Sequence, residues 1–140
     1  MTIDYKSLCV GDVMSTSLIY VDINATVAEA EHLMNQHNVH HLPVMENGCL
    51  ESIISKRDIR HLQMPGHKYD KDEQLQVADI CPMRAYVADI NDPLARVVDR
   101  MAGERISAVI VLKDGELSGI FTEADACRVL AEILGPANGP

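Results

Sequence analysis

The chain has 140 residues, 47% of them hydrophobic but with no Trp and one Phe, so its core must be built from Val, Ile, Leu, Ala and Met. A formal net charge of −9 argues against a nucleic-acid partner, because phosphate backbones are held by clustered Lys and Arg, and no apolar run approaches a membrane span. The opening MTIDYKSLCV lacks a basic stretch followed by an apolar one, so a cytoplasmic location is expected; there Cys9, Cys49, Cys81 and Cys127, never paired as CxxC, read as small buried hydrophobes.

In chain order, a short extended stretch at Ser17–Val21 leads into a helix. Thr26-Val-Ala-Glu29 forms a capping box at its head, and Val27, Ala30, Leu33 and Met34 give it one apolar face. His41–Met45 and Leu50–Ile54 are apolar runs separated by Asn47-Gly48, a strong hairpin signal, and a second helix is expected over 56–63. Residues 63–76, polar and broken by Pro65-Gly66, read as a linker between a first repeat at 1–62 and a second at 77–134. The second repeat runs in the same order. Arg84–Ala88 is extended, Asp92-Pro93 caps a helix with a face of Leu94, Val97, Val98 and Met101, and Asp114-Gly115 turns the hairpin Ala108–Leu112/Leu117–Phe121. A last helix is expected over 123–134, and the tail at 135–140, GPANGP, is expected to be disordered.

The repetition is gapless. A shift of 67 positions lays Val10–Leu62 over Val77–Val129 with 12 of 53 positions identical, among them Met34 with Met101, Gly48 with Gly115 and Asp58 with Asp125. An α+β fold follows, two β-α-β-β-α units packed together because neither half has enough core alone.

VGDVM and VADIC at 10–14 and 77–81, His-His-Leu-Pro-Val at 40–44, and the closing SIISKRDI (52–59) and GIFTEADA (119–126) together resemble the CBS domain, named for cystathionine β-synthase. The resemblance covers Val10–Leu134 and implies a pseudo-two-fold module with two clefts between its halves. It also implies a sensor of adenosine derivatives (AMP, ADP, ATP, S-adenosylmethionine or NAD-type dinucleotides), a homodimer formed through helices, and an effector protein that the chain does not contain.

Thr122-Glu-Ala-Asp125 and Ser55-Lys-Arg-Asp58 carry the chemistry of that reading. A hydroxyl followed three residues later by an acid is, locally, a helix start. The same geometry can offer a carboxylate to a ribose diol and a hydroxyl with free N–H groups to phosphate. Asp is shorter than the Glu or Gln that normally closes a capping box, which favours the binding reading. Carried over from the family, one cleft joins Thr122 and Asp125 to Ser17, Ile19, His40, His41 and Pro43. The other, less complete, joins Ser55, Lys56 and Asp58 to Arg84, Tyr86, Ser107, Ala108 and Ile110, with Ser52 and Ile110 where the first has Gly119 and Pro43. The first is favoured for its fuller signature; Lys56, Arg57 and Arg84 would suit polyphosphate at the second, or simply point into water.

His37, His40 and His41 form no metal set, because the helix should end near Asn38 between the first two. No nucleophile elbow, P-loop or GxGxxG is present, so no catalytic residues and no required cofactor are expected, only a bound adenine nucleotide or S-adenosylmethionine. The alternative is a ligand-free scaffold that dimerises and docks a protein partner.

Overall fold

The computed structural model describes residues 3–16, 18–62, 75–80 and 85–136. Residues 63–74 of the expected linker, Ser17, Cys81, Arg84 and residues 137–140 of the expected tail lie outside the described residues. The elements are β1 (Val21–Asp22), α1 (Val27–His37), β2 (His41–Glu46), β3 (Cys49–Ser55), α2 (Lys56–Leu62), α3 (Val77–Ile80), β4 (Val87–Asp89), α4 (Leu94–Glu104), β5 (Ala108–Lys113), β6 (Glu116–Thr122) and α5 (Glu123–Leu134).

Each unit is a three-stranded sheet with its helices, ordered β1-β2-β3 in one and β4-β5-β6 in the other. In both, the first pair is parallel and the second is an antiparallel hairpin. The hairpins turn where the sequence signals them: Asn47, Gly48, Asp114 and Gly115 all have positive φ, as a two-residue turn matched to strand twist requires. A register shift falls between Val44 and Met45, and between Val111 and Leu112, so even the irregularity is duplicated. α1 begins with the expected capping box between Thr26 and Glu29 and ends at Asn38 in the left-handed conformation, separating His37 from His40.

Three expectations are corrected. The first strand of each unit is shorter and later than read, at Val21–Asp22 and Val87–Asp89, because regular pairing with the hairpin is confined to those residues. Asp92 does not cap α4. Its carboxylate accepts the Asp89 N–H at 3.0 Å, Pro93 occupies the cap position, and the Leu94 N–H is satisfied by the Leu8 carbonyl at 2.9 Å. Finally, Cys49 and Cys127 are exposed and Cys9 is half-buried, since Cys49 follows the turn and Cys127 lies on an outer face of α5.

The compact units exchange the segments that open the two sequence repeats. One unit is Ile19–Ala85; the other gathers residues up to Leu18 with those from Tyr86 onward. Val10, fully buried, belongs to the core of Ala88, Leu94, Val97, Met101, Val109, Val111 and Phe121. Val77 belongs to the core of Val21, Val27, Ala30, Met34, Leu42, Val44, Ile54 and Ile59. Backbone hydrogen bonds fasten each segment in matched triples. Val10, Gly11 and Leu94 donate to Asp92, Ile90 and Leu8; Val77, Ala78 and Val27 donate to Ala25, Ile23 and Leu75. These six bonds correspond one to one at the 67-residue offset.

Candidate functional site

The hydroxyl–x–x–Asp motifs head α2 and α5, where the antiparallel hairpin delivers the chain directly into a helix. Ser55 closes β3 opposite His41, and Thr122 closes β6 opposite Ala108. The first helical N–H groups return to the start of the neighbouring strand: Lys56 donates to the His40 carbonyl at 2.8 Å and Glu123 to the Ser107 carbonyl at 3.0 Å. Each unit therefore brings one cap and one strand start together. Ser55, Lys56 and Asp58 share a unit with Ile19, His40, His41 and Pro43, while Thr122 and Asp125 share the other with Tyr86, Ser107, Ala108 and Ile110.

Asp proves long enough to close the box, contrary to the length argument. The Ser55 N–H donates to Asp58 Oδ2 at 2.9 Å while Asp58 N–H donates to Ser55 Oγ at 3.1 Å; Thr122 and Asp125 repeat the exchange at 2.9 and 3.3 Å. The hairpin hands the cap residue to the helix with extended backbone, φ −114° and ψ 171° at Thr122, and that orientation brings its N–H within reach of a short side chain.

The two caps differ in what remains open. Asp125 is 3% exposed and accepts from four donor groups: Thr122 N–H, Thr122 Oγ1 at 3.1 Å, Ser15 Oγ at 3.2 Å and Arg128 Nη1 at 2.8 Å. A carboxylate offers about four acceptor sites, so Asp125 is filled. Asp58 is half-buried, and its Oδ1 has no partner among the described residues. Ser15 and Arg128 were not among the expected site residues. Arg128, one turn beyond Asp125, is visible in the sequence as a helical i,i+3 pair. Ser15 lies 110 positions away and no local pattern exposes it.

Pro43 is buried in the central strand of its sheet, where a missing N–H costs a ladder bond. In the second unit Ile110, at the same place, donates to the Tyr86 carbonyl at 2.9 Å. Pro43, having no N–H, cannot do so for Ile19, and β1 is one residue shorter than β4. Tyr86 packs on its unit's core, and its ring lies 4.2 Å beneath the guanidinium of Arg100. Glu104 binds that guanidinium at 2.6 Å and raises its pKa above the ordinary arginine value, so the cation persists over the ring. In the first unit Ile19 and Leu33 take the corresponding places in an apolar contact with the core.

No group of three or more His, Cys, Asp or Glu residues that could hold a metal ion occurs among the described residues, and no described helix is long and apolar enough to cross a membrane.

The CBS domain family model matches residues 10–64 and 77–132. The chain belongs to the CBS-domain family. It is 29% identical over 136 residues to a CBS domain-containing protein of Dictyostelium discoideum, covering 91% of this chain and 94% of that one. The CBS domain-containing protein YhcV of Bacillus subtilis is 30% identical over 116 residues, 83% of this chain and 81% of the relative. Among solved structures, the CBS domain pair of protein MJ0100 in complex with 5′-methylthioadenosine and S-adenosyl-L-methionine superposes with a TM-score of 0.78 at 26% identity, covering 90% of this chain and 98% of that one. The two matched segments are the two sequence repeats, so in this CBS-domain chain the family unit and the compact spatial unit differ by the exchanged opening segments.

Proposed function

We propose that this CBS-domain chain is a regulatory module that binds an adenosine-containing ligand and passes the result to a partner protein. The observation that carries the reading is the pair of hydroxyl–x–x–Asp helix caps, in a chain similar to a CBS domain pair solved with two adenosyl compounds. In this reading the cap carboxylates take the ribose diol, the cap hydroxyls hold those carboxylates in place, and free N–H groups of the first helical turn face phosphate or its replacement. The residues proposed for binding are those the family resemblance groups: Thr122 and Asp125 with Ser17, Ile19, His40, His41 and Pro43, and Ser55, Lys56 and Asp58 with Arg84, Tyr86, Ser107 and Ala108. Two local features support this choice. The Ile19 carbonyl, to which Pro43 cannot donate, suits the amino group of adenine, and Asp58 Oδ1, without a partner among the described residues, suits a ribose hydroxyl. The module works as a sensor only if the ligand has different affinities for two arrangements of the protein.

A thermal-shift panel of AMP, ADP, ATP, S-adenosylmethionine, NAD and NADH tests it. A ligand present at a hundred times its Kd stabilises by about 2.7 kcal/mol, a midpoint rise of several degrees. Because Asp125 also closes a cap, Asp125→Ala lowers the unliganded midpoint as well, by about 1–2 kcal/mol of stability. The ligand-induced increment must therefore be read from each variant's own baseline. Loss of the increment in Asp125→Ala or Asp58→Ala assigns the site; no increment from any compound in the wild type rejects the reading.

A second reading, a scaffold that dimerises without ligand, is favoured by one feature of α4 and α5. These helices line an apolar groove of about 410 Å³ beside Leu94, Val98, Val129 and Leu130, and Leu130, Ile133 and Leu134 are half or more exposed. A second copy laid on that face would cover them.

A further inference from the structure

We infer that Asp125 is a latch through which ligand occupancy releases the N-terminal segment from its unit. The inference rests on the ligand reading above and concerns how binding at that cap would be transmitted. Both oxygens of the buried Asp125 carboxylate are within reach of the Ser15 hydroxyl, at 3.2 and 3.4 Å, and Ser15 is also fastened to β6 by backbone bonds in both directions with Ile120, at 2.8 and 3.0 Å. With four donors already on the carboxylate, two ribose hydroxyls can bind only if two donors leave. The Thr122 N–H and hydroxyl belong to the helix cap and stay. Ser15 and Arg128 are the donors that can be displaced, and the Arg128 side chain, 63% exposed, moves into water at little cost.

Ser15 has no such freedom. Its hydroxyl is part-buried, so eviction leaves a donor unsatisfied. The segment also sits on β6 without slack: a Cβ at Gly119 would stand 2.6 Å from both the Met14 sulfur and the Ser15 carbonyl. Small adjustment toward the sheet is blocked, and the remaining response is for the segment to lift. Its bonds to Asp92 and Ile90 then weaken in turn. The second repeat has Pro82 at the position equivalent to Ser15, and proline has no hydroxyl to donate, so the device belongs to the Asp125 site alone.

Amide hydrogen exchange, followed on the full chain with saturating AMP, ATP or S-adenosylmethionine, tests the latch. The compound that raises the melting midpoint should speed exchange at Ser15 and Met14 about tenfold or more, with Val44 and Ile54 unchanged. Ser15→Ala keeps its Cβ and the backbone pairing; it should bind the same compound about three- to tenfold more tightly, because one competing donor is gone. In that variant the compound should no longer alter exchange in the segment. Binding to the wild type with unchanged or slower exchange at Ser15, or Ser15→Ala affinity equal to or below wild type, overturns the latch and leaves the ligand reading standing. If no compound binds the wild type, the ligand reading fails and the latch with it.

Discussion

Gly119 and Gly103 show how differently one residue type can be used in this chain. Gly119 lies where the Met14–Ser15 backbone crosses β6, and any side chain there meets backbone oxygen as well as sulfur at 2.6 Å. Gly119→Ala should therefore destabilise by about 3 kcal/mol, the upper end for overpacking against atoms that cannot rotate away. Gly103, in the last turn of α4, has nothing within 4 Å of an added Cβ. There the same substitution should stabilise by about 0.5 kcal/mol through reduced chain entropy in the unfolded state. Urea denaturation midpoints measured on both variants check the pair, and equal signs would contradict the packing at Gly119. The glycine at 119 thus answers to a close backbone approach.

At the scale of elements, the opening segments are structural parts of the other repeat's unit. Val10 and Val77 are both fully buried, and truncating either to Ala should cost about 2–3 kcal/mol through lost burial and the cavity left behind. The location of the damage separates them. Val10→Ala should raise amide exchange in β4–β6 and α4, whereas Val77→Ala should raise it in β1–β3 and α1. Exchange rising instead in the half that each residue opens in sequence would refute the exchange of segments. Cap and hairpin chemistry act on a shorter scale. Asn38 and Arg105 both close a helix in the left-handed conformation, and the residue type is permissive at one position and strained at the other. The local rule survives in the backbone after the residue that expresses it has diverged.

For the whole molecule, the acidic balance speaks against a nucleic-acid partner, and the exposed apolar face of α4 and α5 is what the self-association reading rests on. If that face joins two copies, Ile133→Glu places a charge in the middle of it and should shift the chain to monomer in sedimentation-velocity runs at micromolar concentration, with the midpoint of unfolding falling only in proportion to the lost association. A wild type that sediments as a monomer at the same concentrations removes the self-association reading and directs the search to an unlike partner.

By itself the sequence determined the duplication, the β-α-β-β-α order within each half (though not the short helix α3), both hairpin turns, the Thr26 capping box and the helix end at Asn38. Each of these is set by residues within a few positions of one another, or by direct comparison of one half with the other. It also marked the two hydroxyl–x–x–Asp motifs that cap α2 and α5, and Arg128 stood within one helical turn of Asp125. Only tertiary structure decided that Val10 and Val77 complete the opposite repeats, that the Leu8 carbonyl rather than Asp92 serves the head of α4, and that Ser15 reaches Asp125 across 110 positions. Asp58 and Asp125 close their caps despite their short side chains for the same reason: whether a short carboxylate reaches the cap N–H depends on how the preceding strand delivers the backbone. Burial and hydrogen-bond saturation belong to contacts between distant segments, and a pattern read along the chain holds no record of which of those segments meet.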